Sequence, residues 1–76
     1  MTLTQAVLFH KDMYDAVRAR RWLRRNHYEP IKRVHETTNY LRYRIREPDY
    51  NRFEYRTKQI TKGIKLVIGV PFFEMY

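Results

Sequence analysis

Between Thr4 and His10 the chain carries an uninterrupted apolar run, Ala6, Val7, Leu8 and Phe9, which predicts a strand covered on both faces or lying next to the core. A helix is expected to follow at once. Asp12 is placed as its N-cap, and Asp15 adds negative charge near the positive end of the helix dipole. At about 100° per residue, Ala16, Ala19 and Leu23 share one side, with Met13 and Trp22 on its flanks. Arg18, Arg21 and Arg25 fall on the opposite side, and Arg20 and Arg24 at its margin. Asn26 is read as a left-handed C-cap, and Pro30 guarantees that the helix has stopped.

Ile31 to Val34 is a short extended segment in this reading, and His35 to Asn39 a turn rich in hydrogen-bonding side chains. Tyr40 to Arg46 is the clearest strand, because Leu41, Tyr43 and Ile45 alternate with Tyr40, Arg42, Arg44 and Arg46. A loop around Pro48 leads to a third extended run, Phe53 to Ile60, in which Phe53, Tyr55 and Thr57 alternate with Glu54, Arg56 and Lys58. Gly63 supplies the positive φ of a hairpin turn. Ile64, Leu66, Ile68 and Val70 then alternate up to Pro71.

The expected fold is therefore α+β in the order β-α-β-β-β: a two-layer sandwich with one helix packed on a four-stranded, mostly antiparallel sheet. The last three strands form an antiparallel meander, and a right-handed crossover sets the first strand parallel to a neighbour. With 76 residues the chain is read as one domain, 1–76. A hydrophobic fraction of 43%, with Tyr 7, Phe 4 and Trp 1, argues for a folded chain despite its charge.

Charge narrows the function classes. Lys+Arg is 16 against Asp+Glu 8, a net charge of +8, and eleven of the cations are Arg. Such an excess attracts polyanions, phosphate backbones above all, and Arg presents a planar fork suited to phosphate oxygens and a face that stacks on bases. The plainer alternative is that charge keeps a small protein soluble. No apolar run approaches the length of a bilayer span, and the N-terminal residues lack the features of a signal peptide, so no membrane partner and an intracellular setting are expected.

Catalysis finds little in this chain. No Ser or Cys occurs, so the commonest nucleophiles, thiolate metal sites and disulfides are all absent. His10, His27 and His35 fall on separate elements without metal-ligand spacing, and no pattern brings Glu36 and Glu47 together for acid/base work. The two glycines, Gly63 and Gly69, form no phosphate-cradling loop. No enzyme, cofactor or resident metal is expected, a nuclease-like site built from Asp and Glu being the one enzymatic alternative left open.

Two basic surfaces remain. Arg42, Arg44 and Arg46 project from one strand at intervals of about 6.6 to 7 Å, near the separation of successive phosphates along a nucleic-acid strand. In the expected meander Arg56 and Lys58 join that face, with Lys65 beyond and Tyr40 at its edge, giving a field of cations beside an aromatic of the kind that binds single strands. Its plain counterpart is a solvated face whose charges discourage aggregation. The second surface is the helix patch Arg18, Arg21 and Arg25, which suits a duplex backbone or a major groove.

Three segments, ARRWLRRNHYEPIK from Ala19, NYLRYRIREP from Asn39 and YRTKQITKGIKLVIG from Tyr55, together resemble a small domain that recurs in proteins of tailed phages and large DNA viruses. The resemblance implies a viral or mobile-element origin, in host cytoplasm, nucleus or virion, and assigns no activity or site residue. The leading expectation is a sequence-tolerant nucleic-acid-binding module. The alternative is a structural or interaction domain that pairs with an acidic protein or with itself, through strand edges and the FFEMY tail.

Overall fold

The structure, a computed structural model, describes residues 2–72. It contains β1 (Leu3–His10), α1 (Ala16–Arg25), β2 (His35–Glu36), β3 (Tyr40–Arg44), β4 (Phe53–Thr61) and β5 (Ile64–Pro71). The class is α+β with one helix, as the periodicities predict. The sheet has five strands rather than four, in the order β2-β3-β1-β5-β4, and every pairing is antiparallel.

Two topological expectations are thereby corrected. β1 is parallel to nothing, and β3 and β4 do not pair, since β1 and β5 stand between them. The chain makes two legs between β1 and β3 instead of one. The helix runs back along the sheet, bringing the Tyr28 hydroxyl to 3.4 Å from Thr4 Oγ1 near the start of β1. Residues 31–36 then return along β3, with Ile31 N–H donating to Arg44 C=O at 2.9 Å and His35 opposite Arg42. The chain is now at the His10 end of β1, where Tyr40 pairs with His10, so β3 must run antiparallel to β1. The expected turn from His35 to Asn39 thus holds the short edge strand β2, followed by a turn closed by Thr37 and Tyr40.

Burial explains why β1 takes the centre. Ala6, Val7 and Phe9 are each 0% exposed although successive side chains point to opposite faces, so this strand needs cover on both sides. β4 is the reverse, with polar residues on both faces along most of its length, and it occupies an edge. The main core lies under the helix, where Ala19 and Leu23 meet Val7, Phe9, Leu41, Tyr43 and Ile64. Phe9 is its hub, with Tyr14, Trp22 and Tyr43 packed edge-on to its ring at centroid distances of 5.3, 5.6 and 5.7 Å.

The helix ends also differ from expectation. Asp15, not Asp12, is the N-cap, its Oδ1 accepting from Arg18 N–H at 2.8 Å. At the other end Asn26 has φ −99°, and the left-handed residue is His27 at φ 64°. His27 N–H donates to Arg24 C=O at 3.2 Å and Tyr28 N–H to Leu23 C=O at 2.9 Å, the bond pattern of a Schellman turn. The apolar contact that accompanies such a turn is a stack of Tyr28 on Trp22, with centroids 6.0 Å apart and planes inclined by 10°. No helix among the described residues is long and apolar enough to cross a membrane.

Candidate nucleic-acid interface

Cross-strand neighbours share a face, so the register sorts every strand residue between the helix side and the uncovered side of the sheet. Arg44 pairs with Ala6, Arg42 with Leu8 and Tyr40 with His10, and Leu8 in turn pairs with Lys65. All of these lie opposite the helix, because Val7, Phe9, Leu41 and Tyr43, which alternate with them, form the core. The expected arrangement of Tyr40, Arg42 and Arg44 on one open face therefore stands as geometry, with Lys65 among them.

Arg56 and Lys58 do not join it. Arg56 pairs with Ile68 and Lys58 with Leu66, positions in phase with the buried Ile64, so both cations belong to the helix side of the sheet. What β4 brings to the open face is Phe53, Tyr55 and Thr57, opposite Pro71, Gly69 and Val67. The phase is inverted because β4 meets β5, not β3. Tyr55 covers Gly69, and Val67 beside it is buried at 8% exposure, so this side of the sheet has an apolar patch of its own.

Several of the cations are held in place. Arg42 Nη2 donates to Gln5 Oε1 at 3.3 Å, and its buried Nε has no partner among the described residues. Gln5, 2% exposed, stands at a β-bulge between Thr4 and Ala6, and its Nε2 donates to Arg46 C=O at 3.0 Å. Arg46 lies past the end of β3, and its Nε donates to Thr4 C=O at 3.1 Å. Lys65 Nζ sits 5.1 Å from the centroid of Tyr40, whose ring also meets His10 edge-on at 5.1 Å. Sequence reading missed Gln5: a buried glutamine that holds the Arg42 side chain and the Arg46 carbonyl has no signature beyond a polar residue beside an apolar run.

Most of the paired carboxylates engage other cations, while Asp12 Oδ2 lies 3.7 Å from His10 Nδ1 at the Tyr40 end of this face. Glu36 pairs with Lys11 at 2.7 Å, Glu47 with Lys32 at 2.7 Å and Glu54 with Arg56 at 3.4 Å, while Asp49 lies 3.9 Å from Arg52. Glu36 and Glu47 thus each have a separate lysine partner. No strand residue on the open face is acidic: Glu36 lies across from Leu41 and Glu54 across from Val70, both on the helix side.

The helix patch is brought together as expected. Arg18, Arg21 and Arg25 line a shallow groove of about 230 Å³ with Tyr14 and Trp22. Arg18 is tied down there, its Nη1 donating to Met13 C=O at 2.8 Å and its guanidinium lying 5.2 Å from the Tyr14 ring centroid. The marginal Arg20 and Arg24 turn instead toward a larger groove beside residues 29–34. Tyr43 is among its lining residues, and its hydroxyl is buried without a hydrogen-bond partner among the described residues, an arrangement that costs about 1–3 kcal/mol. Burial pushes the Tyr43 phenol above its ordinary pKa, and the nearby Arg20 guanidinium pulls the other way.

His10, His27 and His35 sit on β1, the helix end and β2, and among the described residues no group of three or more His, Asp or Glu converges as a metal-ligand set. The FFEMY tail, expected as a contact surface, lies outside the described residues from position 73 onward. Comparisons with protein-family models, curated proteins and solved structures found no match. The resemblance to a phage and viral domain therefore rests on the three sequence segments alone.

Proposed function

We propose that this chain is a non-enzymatic, sequence-tolerant nucleic-acid-binding module that uses the uncovered face of its sheet. One observation carries the reading: that face gathers Arg42, Arg44 and Lys65 with Tyr40, Phe53 and Tyr55, and none of its strand residues is a carboxylate. Cations supply attraction to phosphates, and aromatic rings at opposite ends of the cation field give bases a surface to stack on, which favours single strands over duplexes. The ties of Arg42 to Gln5 and of Lys65 to Tyr40 hold these side chains before any ligand arrives, which lowers the entropy lost on binding.

A salt series with labelled single-stranded and double-stranded DNA and RNA tests this. Affinity should fall steeply and log-linearly with salt, single strands binding better than duplexes. Affinity that hardly moves between low and physiological salt would sink the proposal. Replacing Arg42, Arg44 and Arg46 together should weaken binding far more than replacing Arg18, Arg21 and Arg25, and the reverse result moves the site to the helix.

The second reading, an interaction domain, has one observation of its own. β4 is a nine-residue edge strand, largely exposed, with Ile60 41% exposed within it. Light scattering that finds a stable oligomer, together with no retardation of DNA or RNA in a gel, would favour that reading.

A further inference from the structure

The larger groove beside the end of α1 lies on the opposite side of the sheet from the proposed nucleic-acid face, and its chemistry is different. Arg20 and Arg24 from the helix and Lys32 and Arg33 from the returning segment line a space of about 900 Å³, the size of a small-ligand cleft. Four cations face it and a single carboxylate, Glu29, lines it with them. Among the described residues Arg20, Arg24 and Arg33 form no ion pair. Lys32 does, and its 2.7 Å contact with Glu47 fixes the outer wall, as does the bond from Ile31 N–H to Arg44 C=O. The floor is apolar, made by Leu23, Val34 and Ile45.

Convergent cations alone would describe a solvated surface. The Tyr43 hydroxyl is an independent sign. Tyr43 is 3% exposed, lines this groove and ends in a hydroxyl that completes no hydrogen bond among the described residues, with the Arg20 side chain close by. A phenol O–H close to the Arg20 guanidinium is a neutral donor beside a charged one, and with Arg24 lining the same groove the set suits the several oxygens of a phosphoryl group. Arg20 is exposed, so its long side chain is free to turn toward an incoming phosphoryl oxygen. An apolar floor is of no use to a bare phosphate and suits an organic body attached to it.

We propose that this groove binds the phosphate monoester of a nucleotide, the phosphoryl group held by Arg20, Arg24 and Tyr43 and the nucleoside resting on Leu23, Val34 and Ile45. Such a group comes either from a free nucleotide or from the phosphorylated end of a strand.

The test is an NMR titration of the full chain with adenosine 5′-monophosphate, adenosine, and a short oligonucleotide with and without a 5′-phosphate. Saturable shifts at Leu23, His27 and Val34 with the monophosphate, and none with adenosine, are expected. Shifts that appear equally with adenosine, or no shifts with any phosphorylated probe, overturn the proposal. If the 5′-phosphorylated oligonucleotide binds at least about tenfold tighter than both the monophosphate and the unphosphorylated strand, the source is a strand end, and comparable affinity for the monophosphate makes it a free nucleotide. Arg24→Gln and Tyr43→Phe should each weaken monophosphate binding by about tenfold, the loss of one donor to a charged group, while Arg44→Gln leaves it unchanged. Equal weakening by Arg44→Gln overturns the groove as the site. Because Arg24→Gln leaves the open sheet face intact, the salt dependence of strand binding reports on that face separately.

Discussion

The ring of Tyr55 occupies the space that any side chain at Gly69 would need: a Cβ built at position 69 would lie 2.9 Å from Tyr55 Cε1 and 3.4 Å from Phe53 Cβ. The ring has little freedom to retreat. Its hydroxyl accepts from Asp49 N–H at 2.6 Å, and Tyr50 packs against it at a centroid distance of 5.3 Å. Gly69→Ala should therefore destabilise the protein by about 1–3 kcal/mol, as overpacking does, measured by denaturant unfolding. Gly69→Ala combined with Tyr55→Leu should cost less than the sum of the single changes. A Gly69→Ala variant of unchanged stability would mean that the ring is not held as described.

Gly63 is constrained by its backbone. Its φ of 84° lies in the left-handed region, and a Cβ there would meet Met13 Sδ at 2.9 Å. Gly63→Ala is expected to cost about 1–2 kcal/mol from the backbone alone, and Gly63→Asn less than Gly63→Ala, because Asn tolerates this region better. The order of the two melting temperatures checks it.

Asp15→Ala should cost about 0.5–2 kcal/mol, the loss of an N-cap, while Asp12→Ala should leave helix stability nearly unchanged. Equal losses in thermal unfolding would contradict the observed cap. These two residues also mark what a sequence does and does not reveal. A helix in this stretch follows from periodicity, and an acidic cap follows from the dipole. Choosing between Asp12 and Asp15 requires knowing that residues 11–13 are needed as a turn, one in which Met13 and Tyr14 N–H donate to His10 C=O.

The same limit explains the sheet. Alternation assigns Tyr40, Arg42 and Arg44 to one side because the pattern is local. Whether Arg56 and Lys58 share that side depends on which strand β4 meets. That partner was set by β1, whose two-sided burial puts it between β3 and β5. Of the return leg only Ile31 to Val34 is legible, as an extended segment, and β2 itself has no hydrophobic pattern to announce it, since both its residues are exposed. The groove below Arg20 and Arg24 was equally out of reach, because its outer wall is that leg.

The Lys32 to Glu47 contact predicts a pH dependence at that wall. Hydrogen bonding from Lys32 holds the Glu47 carboxyl below the ordinary carboxylate range. A carboxyl whose folded pKa is depressed stabilises the fold above its unfolded value, about 4.3, and that contribution is lost as pH falls through the folded value. An NMR titration should find the Glu47 midpoint low and Lys32→Met should return it toward the ordinary range. A midpoint unmoved by Lys32→Met would remove the cause. The pair is exposed, so the effect belongs to the local wall more than to global stability.

The division of cations between the two faces of the sheet gives the sharpest prediction about binding. Replacing Arg44 and Lys65 with Gln removes the same charge as replacing Arg56 and Lys58 with Gln, so a long-range field treats the two double variants alike. Contacts on the open face do not, since Arg44 and Lys65 lie there with Tyr40 while Arg56 and Lys58 lie on the helix side. Binding of a short single-stranded oligonucleotide should weaken about tenfold or more in the first variant relative to the second. The slope of log affinity against log salt should fall by about 1 to 2 in the first alone, one counterion for each lost phosphate contact. Thermal unfolding of both variants separates lost contacts from lost folding, which matters because Lys65→Gln also removes the cation from the Tyr40 ring. Equal weakening with equal slopes would mean that the charge acts only as a diffuse field, and the open face would lose its claim as the interface.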